Sequence, residues 1–271
     1  MKIVKKLGSG SVGDAYLLED GKAIVVGKRE DSFSTYKAMY DKMQVVNGKI
    51  TTVNYPKVYN LISACAEYPF GAIVEECILG KELRESILNL SYENKFEIGK
   101  VLAGFINEVH NIKVKGNKEE EISINLAKYD KSLAILKEYL TNEVYCKLVE
   151  LKDVYKNMLV GKNFCLTHGD LNAGNIMIGE NYEVSGIIDF GNMEYYIPEI
   201  EFVHMYFFDR DIYNSMVKHY SKKIEDKDVV FLELVVNIRH FKNIKNFEDR
   251  KTNCLNNINS LLNMFLEMSA N

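Results

Sequence analysis

The stretch "CLTHGDLNAGNIMIGENYEVSGIIDFGN", residues 165–192, restricts the possible folds more than any other part of the chain. Its apolar runs, NIMI and VSGII, flank a Gly-Glu-Asn-Tyr segment, a pattern that predicts a β-hairpin turning near Tyr182. Such a hairpin returns Asp189 alongside Asn175, because the two lie at similar distances from the turn. Asp170, five residues before Asn175, sits on a loop after the run NFCLT. Three oxygen-bearing side chains therefore converge at one end of a hairpin. Amide and carboxylate oxygens are the donors Mg²⁺ prefers, and that ion needs few protein ligands when it also holds substrate phosphates. Taken singly, each of these residues is equally well explained as a turn cap. The combination at this spacing speaks for a phosphate site.

The first 75 residues read as strand-rich, with KIVKKLG, DAYLLE and KAIVVGK as strands and Asp20-Gly21 as a two-residue hairpin turn. A helix follows EDSFS, marked by Tyr36, Met39, Tyr40, Met43 and Val46 and closed by Asn47-Gly48. PKVYNLI and GAIVEECI are two further strands. From Leu79-Gly80 onward the pattern turns helical. Phe96, Val101, Leu102, Phe105, Ile106 and Val109 form one apolar stripe, and KVKGNKEEEIS reads as an exposed charged loop.

The segment LGSGSVGDAY carries Gly8, Ser9, Gly10 and Gly13. A glycine loop of this form opens a helix in a dinucleotide-binding fold. Here it runs into a strand, a turn and a strand, which suits a flap laid over phosphates. With a two-residue turn at Asp20-Gly21, Lys28 faces Gly13 across the hairpin, level with that flap. Lys28 is then the candidate for the α/β-phosphates, against the plainer reading of an exposed strand-end lysine.

Composition narrows the setting. A formal net charge of −4 gives no footing for a general nucleic-acid binder. The basic start MKIVKKLGSG has no apolar segment behind it and no later stretch approaches the length of a membrane span, so a cytoplasmic chain with no membrane partner is expected. The five cysteines, Cys65, Cys77, Cys146, Cys165 and Cys254, show no metal or disulfide spacing and read as buried thiols.

HGDLNAGN followed by DFG fits the kinase form H-x-D-x-x-x-x-N…D-F-G. With "GAIVEECILGKEL", "IGKVLAGFINEVHNI", "LTHGDLNAGNIMI" and "GIIDFGN", the chain resembles the aminoglycoside phosphotransferase and choline kinase-like family, small-molecule relatives of protein kinases. The resemblance implies an α+β, bilobal protein-kinase-like fold. Residues 1–79 would form a small antiparallel N-lobe with one helix and the hinge strand, and residues 80–271 a larger, mostly helical lobe with the catalytic loop and acceptor site. It implies a nucleoside-triphosphate-dependent O-phosphotransferase. Asp170 would be catalytic and Asn175 and Asp189 would hold Mg²⁺. Gly8, Ser9, Gly10, Gly13 and Lys28 would hold the phosphates, and the backbone of Glu75, Glu76 and Cys77 the purine of ATP or GTP. His168 would buttress the loop.

Departures from the pattern matter too. No glutamate on the helix after Lys28 can pair with it; the one acid between Phe33 and Val46 is Asp41, off the apolar stripe. Asn172 stands where protein kinases carry a basic residue, and Pro198-Glu199 arrives seven residues after Gly191, too soon for a peptide-docking segment. In YYIPEIEF, Ile197 replaces an expected aspartate and Glu201 stands where a later one would. The expected acceptor is a small hydroxylated molecule, with Glu194, Glu199, Glu201 and Asp209 placed to attract a cationic one. An aminoglycoside is favoured; choline, ethanolamine, homoserine or another small metabolite are the alternatives, and a catalytically silent nucleotide-binding module is the reading from another class.

Overall fold

The computed structural model describes residues 1–270. Five strands come first: β1 (Ile3–Ser9), β2 (Gly13–Leu18), β3 (Lys22–Gly27), β4 (Val58–Ile62) and β5 (Ala72–Glu76). All are paired antiparallel, in the order β1-β2-β3-β5-β4. Helix α1 (Ser32–Val46) interrupts them and ends where Asn47 caps it and Gly48 turns the chain at φ 70°. Two interior apolar groups hold this part. Leu18, Ile24, Tyr68, Ala72 and Val74 form a small cluster on the sheet. Met43 and Val46 of α1 belong instead to the large core made with the helices that follow, so one apolar core runs past the expected division at residues 79 and 80.

The β2–β3 turn differs from expectation. Gly21 N–H donates to Leu18 C=O at 3.0 Å and Gly21 itself sits at φ 81°, so the loop has three residues, a tight turn closed by a left-handed glycine. Gly13 therefore pairs with Gly27, and Lys28 lies one residue further out, its N–H bonded to Val12 C=O at 3.0 Å. Asp-Gly is compatible with both loop lengths, which is why the dipeptide alone did not fix the register.

Beyond the sheet come β6 (Lys81–Glu82), α2 (Leu83–Ser86), α3 (Tyr92–Asn111), α4 (Lys118–Leu136) and α5 (Asn142–Gly161). Helix α3 starts on a capping box: Ser91 Oγ accepts from Asn94 N–H while the Asn94 amide oxygen accepts from Ser91 N–H. Only the front half of the charged stretch KVKGNKEEEIS is a loop. Asn117 caps α4, and Glu119, Glu120 and Glu121 fill its first turn, where negative charge suits the helix dipole. Four short strands follow: β7 (Cys165–Thr167), β8 (Ile176–Ile178), β9 (Val184–Ile187) and β10 (Glu194–Tyr196). β8 and β9 join β6 in a β6-β8-β9 sheet, and β7 pairs with β10. The chain closes with α6 (Val203–Phe208), α7 (Arg210–His219), α8 (Asp226–Ile244) and α9 (Glu248–Ala270). Cys165 and Cys254 are buried as expected, whereas Cys65 and Cys146 are exposed. Among the described residues no helix is long and apolar enough to cross a membrane.

Candidate active site

The β8–β9 hairpin pairs Ile176 with Ile187, and Ile188 N–H donates to Asn175 C=O at 2.9 Å. Asn175 and Asp189 thus lie together at the hairpin's open end. Asp170 joins them because Asn175 Nδ2 donates to its carbonyl at 2.8 Å. The loop that carries Asp170 is braced from below. His168 is fully buried, its Nε2 at 3.2 Å from Ile188 C=O and its ring edge-on to Phe190 at 4.7 Å. Gly169 adopts φ +79°, and a β-carbon there would meet Asn192 C=O at 2.5 Å, so the turn between buttress and aspartate requires glycine.

The Asp170 carboxylate receives two hydrogen bonds and one ion-pair contact. Oδ1 takes Asn172 Nδ2 at 2.8 Å and faces His204 Nε2 at 3.4 Å; Oδ2 takes Asn192 Nδ2 at 3.2 Å. Burial works to raise its pKa, but His204 and Asn172 more than offset that and hold it at about 2. Asp170 is therefore ionised throughout the physiological range. It is suited to orient a hydroxyl and to take a proton late, as bond formation makes that hydroxyl acidic.

The donor set at Asn175 and Asp189 fits Mg²⁺. Asn175 has committed its amide N–H to Asp170, which leaves Oδ1 as a free acceptor. Asp189, at φ 63°, accepts Gly191 N–H on Oδ1 at 3.4 Å. One carboxylate and one amide oxygen are the sparse, hard ligands this ion takes when phosphates complete its shell. Among the described residues no cluster of three or more His, Cys, Asp or Glu side chains offers a rival metal site.

On the flap, Gly10 N–H donates to Gly13 C=O at 2.9 Å and closes the glycine turn. Lys28 reaches this turn, donating to Ser9 Oγ at 2.7 Å, and its acidic partner is Asp14 at 2.9 Å. That partner is on the flap strand, two residues after Val12, not on α1. Hydrogen bonds from Ser9, Lys28 and Lys6 hold the Asp14 carboxyl well below the usual range. The expected hinge shifts slightly. Glu75 and Glu76 are strand residues, paired with Ala23 and Lys22, and Glu76 N–H is taken by Lys57 C=O at 2.8 Å. The chain leaves the sheet at Cys77, so of the three residues Cys77 alone has a backbone outside the ladder. Burial, reinforced by Asp189, pushes the Glu75 carboxyl up to about 8.

Three of the four acids expected to meet an acceptor have internal tasks. Glu199, 2% exposed, pairs with Lys162 at 2.7 Å. Glu201, 1% exposed, accepts the N–H groups of His168 and Gly169 and lies 3.9 Å from the His110 ring. Asp209 caps α7 through Asp211 and Ile212 N–H and pairs with Lys95 at 2.7 Å. The acidic run after DFG is thus chiefly structural, because each of these carboxylates is engaged through at least one oxygen by a partner inside the protein, although Oε2 of Glu199 and of Glu201 is buried without one. Glu194 differs: it is half-buried beside Arg239, Lys128 and Lys42, and burial raises its pKa.

Three contributors escaped the sequence reading. Tyr36, on α1, is 4% exposed and its hydroxyl is buried without a hydrogen-bond partner. It lies under the flap: a β-carbon on Gly13 would collide with the Tyr36 oxygen. Lys42, one helical turn and a half further along α1, donates to Gly191 C=O at 2.9 Å and so ties α1 to the DFG turn. His204 touches Asp170. Tyr36 had been visible only as one member of an apolar stripe, and nothing about Lys42 or His204 in sequence signals a tertiary partner.

The sequence profile described as the phosphotransferase enzyme family, APH, matches residues 3–225. Among curated proteins, the hydroxylysine kinase of Bos taurus is 26% identical over 211 residues, 70% of this chain and 52% of that protein. That of Mus musculus is 30% identical over 134 residues, 43% and 36% of the two chains. The chain thus spans about half the length, or less, of these curated relatives. Among solved structures, the GDP complex of aminoglycoside 2'-phosphotransferase-IIIa superposes with a TM-score of 0.80 at 15% identity, covering 97% of this chain and 93% of that one. The gentamicin complex of APH(2")-IIa gives 0.74 at 19% identity, covering 95% and 90%. These structural likenesses establish the protein-kinase-like fold.

Proposed function

The chain belongs to the phosphotransferase enzyme family, and from that premise we propose that it transfers the γ-phosphate of ATP or GTP to a hydroxyl of a small, amine-bearing molecule. The observation that carries this reading is the meeting of Asp170, Asn175 and Asp189 at the open end of the β8–β9 hairpin. Asp170 accepts a hydrogen bond from the acceptor hydroxyl, aims its oxygen at the γ-phosphorus and takes its proton as the new O–P bond forms. Asn175 and Asp189 hold Mg²⁺, which when bound neutralises phosphate charge. Lys28 and the flap turn at Gly8, Ser9, Gly10 and Gly13 hold and cover the phosphates, and the hinge backbone at Cys77 receives the purine. Most of the catalytic effect is positioning and charge compensation.

A hydroxylated amino acid is the favoured acceptor, ahead of an aminoglycoside. The curated relatives are called hydroxylysine kinases, and aminoglycoside-binding proteins resemble this chain at 15–19% identity. The internal engagement of Glu199, Glu201 and Asp209 also removes most of the acidic surface that favoured a polycation. The test is nucleotide consumption with Mg²⁺ and ATP or GTP against 5-hydroxylysine, aminoglycosides, choline, homoserine and a macrolide. Stimulation by hydroxylysine supports the reading. Stimulation by an aminoglycoside alone restores that acceptor, and nucleotide binding with no turnover on any acceptor leaves a silent binding module.

A further inference from the structure

His204 stands on α6, outside every kinase motif, and its Nε2 lies 3.4 Å from Asp170 Oδ1. An ionised carboxylate offers about four acceptor directions, two on each oxygen. Asn172 donates to Oδ1 at 2.8 Å, the His204 ring stands against the same oxygen as an ion-pair partner at 3.4 Å, and Asn192 donates to Oδ2 at 3.2 Å. Oδ2 is therefore the more open oxygen. The three partners are not equivalent. The two asparagine amides are neutral at every pH, whereas the imidazole can carry a charge.

The ring's surroundings favour that charge. From α8, Glu233 faces it; Glu233 Oε1 takes Asn237 Nδ2 at 2.8 Å, while Oε2 is buried with no hydrogen-bond partner. Glu201, in the turn before α6, adds a third carboxylate to Asp170 and Glu233. The charged groups at the start of α7 are turned elsewhere, Arg210 to Tyr206, Tyr213 and Asp226, and Asp211 to Lys95. Burial works against protonation of His204, but the carboxylates more than offset it and the pKa is raised above its ordinary value.

We propose that His204, as an imidazolium, is the positioning residue of the catalytic carboxylate, closing Asp170 Oδ1 so that the acceptor hydroxyl is received at Oδ2. The role rests on the phosphotransfer reading above. It gives the site a sensitivity that motif residues alone would not: the orientation of Asp170 depends on a charge lost in alkaline solution. Loss of one charged contact to a carboxylate corresponds to about tenfold in rate.

The test combines a titration and a rate profile on the full chain. The His204 ring is followed by NMR from pH 5 to 9 in the wild type and in Asp170→Asn. Hydrolysis of MgATP and MgGTP, with water in the acceptor's place, is measured over the same range together with the acceptor panel. The His204 pKa is expected above the ordinary value and falls in Asp170→Asn. Wild-type kcat is expected to fall about tenfold as pH rises through the His204 pKa, with the nucleotide KM unchanged. His204→Gln, which keeps an N–H donor without a charge, should show the lowered kcat at all pH values and no alkaline limb. His204→Phe, folded by circular dichroism, should be lower still. A ring pKa that does not respond to Asp170→Asn, or a His204→Gln variant with the wild-type limb, overturns the positioning role alone. A wild type that turns over neither nucleotide with water or any panel member brings down phosphotransfer and the positioning role together.

Discussion

Between Thr167 and Asn175 the polar side chains are held from inside the protein, whereas between Ile3 and Ser9 the chain is held from outside. His168 and Thr167 are fully buried, Glu201 reaches up to cap the His168 and Gly169 N–H groups, and Phe190 and Phe105 pack edge-on against the His168 ring. β1 is exposed along its whole length, with Ile3, Val4 and Leu7 open to solvent. It is secured by pairing with β2 and by the exposed ion pairs Lys2–Glu19 and Lys6–Asp14, at 2.8 and 3.0 Å. Exposed pairs of this kind contribute little to stability. Under the proposed phosphotransfer role, burial would preorganise the loop that carries Asp170, and a flap held only by exposed contacts would adjust to what it covers. A rigid base and a compliant cover are what positioning catalysis and substrate release each require.

The sharpest way to break this contrast is at the rigid end. Asp170→Asn should lower phosphotransfer by about a thousandfold, since an amide neither takes the proton nor orients the hydroxyl equally well. Nucleotide affinity, followed by fluorescent-nucleotide displacement with Mg²⁺, should hardly change. Turnover at the wild-type rate would remove Asp170 from the chemistry.

Next comes the brace. Glu201→Ala should destabilise the protein by about 3 kcal/mol in urea unfolding, because two loop N–H groups and the His110 side of the core lose their carboxylate. A variant as stable as wild type would mean the loop is not held from below. The same carboxylate predicts a pH signature. Burial would raise its pKa, but His110 and His168 more than offset that and the value is lowered from its ordinary 4.5. A lowered carboxylate binds its proton more weakly in the folded state. Its contribution is therefore complete above pH 4.5 and fades as pH falls through the lowered folded value. Glu201→Gln should flatten that acid limb of the stability curve.

This end of the molecule was also the most legible in sequence. The HGDLNAGN and DFG spacings placed Asp170, Asn175 and Asp189 together because a hairpin's geometry is local and its register follows from alternating apolar residues. The strands of the sheet and the helical stripe of α3 were readable for the same reason. What was not readable is pairing over long separations. Glu199, Glu201 and Asp209 look like surface acids until Lys162, His110 and Lys95 arrive from distant helices. The Lys28 register slipped by one residue because Asp20-Gly21 serves two loop lengths, and the acid sought on α1 turned out to be Asp14, fourteen positions back along the chain.

At the compliant end the effects should be smaller and should fall on binding rather than on folding. Lys28→Ala removes the ammonium that bridges Ser9 and Asp14 at the glycine turn. The nucleotide KM should rise about tenfold or more, while the urea midpoint stays within about 0.5 kcal/mol of wild type, as for other exposed positions. A fall in stability matching the loss of binding would show the flap to be as firmly built as the loop.

The finest distinction falls to Tyr36, where the two regimes meet. Its ring is packed in the interior, yet its hydroxyl sits beneath Gly13 with no partner, and burial, with Glu75 and Asp14, pushes its pKa up to about 12. A buried, unpaired hydroxyl costs about 1 kcal/mol, so Tyr36→Phe should leave the protein as stable as wild type or more so in urea unfolding. If the hydroxyl is kept in order to donate to a phosphate under the flap, the same variant should bind MgATP or MgGTP about threefold to tenfold more weakly. Stability and affinity would then move in opposite directions from the loss of one oxygen. Equal affinity in Tyr36→Phe would instead make the hydroxyl a packing feature that only dictates glycine at position 13, and would leave the nucleotide's hold on the flap to Lys28.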